Sequence, residues 1–260
     1  MIEPLKPALT RANALAWQQS WDRQQEGFMP DREHRFAAMI DTVDALTHDR
    51  DRPPRVLDLA GGTGSISQRL LRRRPDAEIT VADLDPVLLR IARASLPDTV
   101  TIATVDLRDP AWVVGLAAGF DAVLTATAMH WLAADRLATV YREVRDLLAP
   151  GGVLINADHM TDDGLPTLST ALSTWDKRRR DAWYAAAAVR SWEQWWEHVA
   201  SDPVLGPLKV RRDELFSIHH SQEWMPPVSW HLAALRDAGF TETGIVWRGG
   251  TDAAVAGLKL

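Results

Sequence analysis

Cysteine is absent from all 260 residues, so a disulfide framework, a thiolate metal site and a cysteine nucleophile are all excluded. No run of 18 apolar residues occurs, which leaves no sequence signal for a membrane-spanning helix. The opening Met1-Ile2-Glu3-Pro4-Leu5-Lys6-Pro7 lacks the basic and apolar regions of a secretory leader, and the expectation is a cytoplasmic protein with no membrane partner. Basic residues are in deficit. A formal net charge of -6 argues against nucleic acid as a partner, because that binding relies on clustered Lys and Arg neutralising phosphates. The longest basic run, Lys177-Arg178-Arg179-Arg180, reads as a solvated helix face. There is no internal repeat or low-complexity tract.

What is present is enough chain for a large α/β domain with a sizeable core, and a pattern of short apolar runs alternating with helical stretches. Strands are expected near 55–60, 78–83, 99–105, 121–127 and 152–158, which implies parallel strands joined by right-handed crossovers. The first strand runs into Asp58-Leu59-Ala60-Gly61-Gly62-Thr63-Gly64, a glycine-rich turn that lets backbone approach a ligand closely. At the end of the second strand, 19 residues beyond Gly64, Asp83 is placed to accept hydrogen bonds from two ribose hydroxyls. A dinucleotide fingerprint would place a small Gly or Ala where Ser67 stands. Asp58, ahead of the glycines, would repel a pyrophosphate but suits a cofactor with an ammonium group.

These residues resemble the class I S-adenosylmethionine-dependent methyltransferases, in the small-molecule branch that includes the trans-aconitate enzymes. The family's first motif, Asp-x-Gly-x-Gly-x-Gly, is matched at Asp58, Gly62 and Gly64, with Ala60 in place of the first glycine. Alanine fits there if residue 60 keeps a negative φ. The likeness continues at Asp83, at Val105-Asp106-Leu107, at Phe120 to Trp131 and at Leu147 to Leu154. The resemblance implies a doubly wound, mostly parallel seven-stranded sheet that binds S-adenosylmethionine and releases S-adenosylhomocysteine. It also implies a cofactor site made of Asp58, Ala60, Gly61, Gly62, Gly64, Asp83, Leu84, Asp106, Leu107 and Thr125.

The expected organisation has N-terminal helices over 1–50 closing over the site, an α/β domain over 51–159 and 229–260, and a helical lid over 160–228. Two N-terminal helices are expected, from Ala8 to Glu26 and after Pro30-Asp31, separated by Gly27-Phe28-Met29-Pro30. The segment after strand five is too long for an ordinary connection and holds Trp175, Trp183, Trp192, Trp195, Trp196, Trp224 and Trp230. Some of these would form the lid's own core, and together they favour an apolar or aromatic acceptor.

Methyl transfer from a sulfonium is an in-line displacement, so the protein mainly aligns the acceptor and excludes water. His130, just past strand four, is the candidate general base for an oxygen acceptor. Phe28, His159, Trp183 and His219 are candidate substrate contacts, and Gln24 and Arg32 could touch cofactor or substrate. Asp158, His159, His219, His220 and Glu223 could alternatively furnish metal ligands or a second base, although no metal is assigned. The expected function is O-methylation of a small molecule in biosynthesis. N- or C-methylation comes next, then a cofactor-binding cyclase, decarboxylase or partner subunit, and last a nicotinamide-dependent oxidoreductase. The oligomeric state is left open.

Overall fold

The computed structural model describes residues 8–29, 31–187, 189–217 and 223–260. Two helices precede the sheet, α1 (Arg11–Phe28) and α2 (Arg32–Thr47). The expected linker is shorter than its glycine suggests: α1 runs on through Gly27 and Phe28, and only Met29 to Asp31 separate the two helices. Then follow β1 (Arg55–Leu59), α3 (Ser65–Arg73), β2 (Glu78–Asp83), α4 (Pro86–Ser95), β3 (Thr101–Thr104), β4 (Phe120–Ala126), α5 (Ala134–Leu147) and β5 (Leu148–His159). Strand five starts four residues earlier than expected, since Leu148 already pairs with Phe120. The inserted segment carries α6 (Pro166–Ala187), α7 (Trp192–Ala200) and α8 (Gly206–Ser217), and α9 (Val228–Asp237), β6 (Glu242–Gly249) and β7 (Asp252–Lys259) close the fold.

The seven strands lie in the order β3-β2-β1-β4-β5-β7-β6. All pairs are parallel except β5 with β7 and β7 with β6. The order reverses between β1 and β4, and in such sheets ligands collect in the crevice beyond the strand C-termini at that point. Alternation along the strands sorts the core into two layers. Leu57, Leu59, Val123 and Leu154 face α5 and α9, where Leu137, Val140, Tyr141 and Leu235 meet them. Val56, Val81, Leu124 and Ile155 face α2 to α4, against Phe36, Met39, Ile40, Ile66 and Leu89. Asp58 falls on the second face by the same alternation, which aims its carboxylate at the start of α3.

A third, smaller core joins α1, α4 and the inserted helices through Trp17, Val87, Leu88, Ile91, Trp195, Trp196 and Val199. Trp195 is fully buried, sits edge-on to Trp17 (5.6 Å), Trp21 (4.9 Å) and Trp196 (4.9 Å), and donates Nε1–H to Ser20 Oγ at 3.0 Å. Trp192 joins the cluster at 5.7 Å from both Trp21 and Trp196. These edge-to-face contacts fasten α7 onto α1. Trp192, Trp195 and Trp196 are therefore taken up by packing, which withdraws much of the support they lent to an aromatic acceptor. Trp224 and Trp230 pair edge-on with each other (4.7 Å) against the main core, and only Trp175 is more than half exposed. Lys177, Arg178 and Arg179 are exposed, as a solvated face requires.

Candidate functional site

The turn after β1 packs tightly on itself. Gly64 N–H donates to Gly61 O (2.8 Å), Gly61 N–H reaches Ala82 O on β2 (3.2 Å), and Gly62 and Gly64 sit at φ +55° and +75°. Ala60 is left-handed too, at φ 53°, contrary to the negative φ expected for an alanine at that position. The turn imposes the conformation that a glycine would take without strain, and alanine carries a cost of about 1–2 kcal/mol there. A Cβ on Gly61 would lie 2.6 Å from Asp58 Cγ, so only glycine leaves the carboxylate its space.

Asp58 is 1% exposed. Its Oδ2 accepts from Ser67 N–H (3.1 Å) and Ser67 Oγ–H (2.6 Å), whereas its Oδ1 is buried with no hydrogen-bond partner among the described residues. Burial pushes the carboxyl up to about 6, against the two Ser67 hydrogen bonds and the charge of Arg32. Ser67, which departs from the dinucleotide pattern, thus positions Asp58. Asp83, at the end of β2, accepts from Gly62 N–H through Oδ2 (2.8 Å) and from Asp85 N–H through Oδ1 (2.7 Å). Burial, and then the charge of Asp85, push it up to about 6. Leu84 follows it and is half-buried.

Asp106 lies beyond β3 and accepts from the Arg108 side chain and backbone at 2.7 to 2.9 Å. Leu107, half-buried beside it, gives its carbonyl to Arg136. Thr125 is buried on β4 beside Asn156, and its Oγ1 has no partner among the described residues.

α1 is tied to this end of the sheet. Gln18 donates to Thr63 O at 3.1 Å, and Asp22 accepts from Ser65 Oγ–H (2.6 Å), Arg32 (3.0 Å) and Arg69 (3.0 Å). Arg32 is buried and stacks 4.5 Å from the centroid of Phe36. Gln24 is buried, and its carbonyl accepts from Tyr184 OH at 3.1 Å. Trp183 packs on Gly27 and edge-on to Tyr184 (5.5 Å), and lines a cavity of ≈ 260 Å³ with Glu26, Arg32, Arg179 and Arg180. The Phe28 side chain, His219 and His220 lie outside the described residues. Among the described residues no group of three His, Cys, Asp or Glu could hold a metal ion.

Beyond β4 the chain makes a short 3-10 turn, Met129–Trp131, which sets His130 over the end of β5. His130 Nδ1 is 2.8 Å from Asp158 Oδ1, and the His130 backbone N–H points at Asp158 Oδ2 (3.3 Å). Asp158 is 2% exposed. Burial would raise its carboxyl, but the His130 hydrogen bond and the charges of His130 and His159 hold it below the usual carboxylate range. The next residue begins a second pair. His159 Nδ1 is 2.8 Å from Asp252 Oδ1, and the fully buried Arg35 of α2 holds the other Asp252 oxygen. Burial pulls the His159 ring down, but the Asp252 hydrogen bond and charge leave it above its ordinary value. The two imidazole centroids are 5.9 Å apart.

Sequence reasoning found His130, Asp158 and His159 but missed Asp252 and Arg35. Asp252 opens β7 in register with His159, so an alignment of the closing hairpin on strand five would have found it. Arg35 interrupts the apolar stripe of α2 and gave no comparable signal.

Comparison with known proteins matches the segment that carries these features. The family model described as a methyltransferase domain covers residues 56–152. An uncharacterised methyltransferase of Mycobacterium bovis is 38% identical over 104 residues, which is 38% of this chain and 37% of that protein. A malonyl-[acyl-carrier protein] O-methyltransferase of Halorhodospira halophila is 36% identical over 122 residues, 44% of this chain and 38% of that protein. The match therefore spans under two-fifths of either relative. Among solved structures, an O-methyltransferase family protein from Burkholderia thailandensis shares the fold at a TM-score of 0.54 and 21% identity, over 96% of this chain and 71% of that one. Strand order, glycine turn and matched segment agree: residues 56–152 match a methyltransferase domain, set in a seven-stranded fold of the class I S-adenosylmethionine-dependent methyltransferase type.

Proposed function

We propose that this protein transfers a methyl group from S-adenosylmethionine to an oxygen of a small acceptor, with His130 as general base. The observation that carries the reading is the His130–Asp158 pair, set at the same end of the sheet as the glycine turn and its two acids. Asp58 and Asp83 fit the cofactor. The partnerless, buried Asp58 Oδ1 beside the space that Gly61 keeps open suits an ammonium group. Each Asp83 oxygen accepts one backbone N–H and retains a lone pair for a ribose hydroxyl. Asp106 and Leu107 would hold the adenine, and Ala60, Gly62, Gly64, Leu84 and Thr125 would line the rest of the cofactor.

S-adenosylmethionine, when bound, supplies an electrophilic methyl group on a sulfonium whose leaving thioether needs no acid. The protein's part is to hold the acceptor in line and to remove its proton. With Nδ1–H donating to the Asp158 carboxylate, His130 keeps its Nε2 lone pair for the acceptor's hydroxyl. Asp158 fixes that tautomer and stabilises the imidazolium that forms. Trp131, 41% exposed and 5.0 Å from the His130 ring, gives the acceptor side an apolar wall. The O-methyltransferase activity in the name of the Halorhodospira relative supports an oxygen acceptor. Residues 160–228, with α6 to α8, would act as the lid that excludes water, with Trp183 on α6 and His159 at the end of β5 as candidate substrate contacts.

The test is formation of S-adenosylhomocysteine from S-adenosylmethionine across a panel of hydroxyl, carboxyl, amine and carbon acceptors. The expectation is turnover on oxygen acceptors, lowered about 100-fold or more in His130→Ala with the S-adenosylhomocysteine affinity unchanged. Unchanged turnover in that variant would remove the base from the account.

A further inference from the structure

Asp85 N-caps α4, its Oδ1 accepting from Val87 N–H (2.9 Å) and Leu88 N–H (3.2 Å). It is 3% exposed, and its other oxygen receives Arg212 Nε–H from α8 at 2.5 Å. Arg212 is held in turn by two aromatic faces of the inserted segment. Its guanidinium lies 3.9 Å from the centroid of Trp196 and 4.7 Å from that of Phe216. Two further charges lie beside this contact, Asp213 at 3.9 Å from Arg212 and Lys209, which pairs with Asp213. Asp85 is also the residue whose backbone N–H holds Asp83 Oδ1 at 2.7 Å. One chain of contacts therefore runs from the inserted helices to the second-strand acid: Trp196 and Phe216, Arg212, Asp85, Asp83.

We infer that Arg212 is a positioning residue for the cofactor site, acting through Asp85 to hold the Asp83 carboxylate in the orientation that grips two ribose hydroxyls. The inference rests on the proposed role of Asp83. Without Arg212, a carboxylate that is almost fully buried keeps only its two backbone donors, and the turn carrying the Asp85 N–H is free to shift away from Asp83. The contact reaches the proposed site through the Asp85 N–H on Asp83, so its loss should weigh on recognition of the ribose. Because Arg212 reaches Asp85 only when α8 lies on α4, docking of the inserted segment and ribose recognition strengthen one another.

The experiment compares S-adenosylhomocysteine with its 2′,3′-dideoxy analogue by calorimetric titration of the full chain, in the wild type and in Arg212→Met. The wild type should prefer the hydroxylated ligand. Arg212→Met should lose about tenfold for S-adenosylhomocysteine and nothing for the dideoxy analogue, so that the preference collapses. Asp85→Asn keeps a capping oxygen for α4 but breaks the ion pair, and it should show the same ribose-selective loss even if Arg212→Met folds poorly. Equal losses for both ligands, or none, would overturn the inference by reducing Arg212 to a packing residue. A wild type that binds neither ligand would instead defeat the cofactor reading, and with it this one. A wild type that binds both ligands equally would mean that Asp83 does not grip the ribose.

Discussion

Replacing Asp58 with asparagine should stabilise the ligand-free protein at neutral pH while weakening its hold on the cofactor. Raising the Asp58 carboxyl from an ordinary 3.8 to about 6 means that ionising it in the folded state costs about 3 kcal/mol. The folded value lies above the unfolded one, so the associated stability is fully present below about 3.8 and is lost as pH rises through about 6. At pH 8 the whole penalty of about 3 kcal/mol applies, and at pH 4.5 about 1 kcal/mol of it remains. Asparagine can still accept from Ser67 N–H and Oγ–H, but its amide N–H₂ would occupy the place of the partnerless Oδ1, a cost of about 1 kcal/mol. The variant should therefore exceed the wild type by about 2 kcal/mol at pH 8 and equal it near pH 4.5. Loss of a hydrogen bond between charged groups should weaken S-adenosylhomocysteine binding by about 1.5–3 kcal/mol, roughly 10- to 150-fold. Urea unfolding at the two pH values, paired with calorimetry at pH 8, reads both effects. An Asp58→Asn protein that is less stable than the wild type at pH 8, or that binds S-adenosylhomocysteine equally well, would refute the reasoning.

Other substitutions probe the remaining parts of the site. Asp158→Asn removes the charge beside His130 and should lower turnover by about 10-fold or more while S-adenosylhomocysteine affinity stays within twofold, as steady-state kinetics and calorimetry would show. Ala60→Gly relieves a left-handed alanine at about 1–2 kcal/mol but adds about 0.5–1 kcal/mol of unfolded-chain entropy, for a net gain of about 0.5 kcal/mol in chemical denaturation. Trp195→Ala opens the contact between α1 and α7 and should cost about 3–5 kcal/mol, with hydrogen exchange rising in α7 before the sheet.

The strands, the glycine turn and the acids at the strand ends were legible because each is written within a few consecutive residues. Apolar runs, glycines and the spacing from Gly64 to Asp83 all report local geometry. What escaped the sequence depends on contacts between distant segments. Arg35 meets Asp252 across 217 positions and Arg212 meets Asp85 across 127, and neither spacing has a periodicity to detect. The tryptophans of the inserted segment could be counted but not aimed, and whether Trp195 faces a ligand or Trp17 is decided by how α7 lies on α1. Ala60 misled for a subtler reason. Residue type argues for negative φ, yet the turn between Leu59 and Gly61 sets the dihedral, and the fold tolerates the strain.

The most direct test of the account is calorimetric titration of S-adenosylmethionine, S-adenosylhomocysteine and NADH into the wild type and Asp83→Ala. The account predicts micromolar binding of both sulfur compounds by the wild type, a loss of at least about tenfold in Asp83→Ala, and no binding of NADH. Binding of NADH in place of the sulfur compounds, or sulfur-compound binding that is indifferent to Asp83, would contradict it.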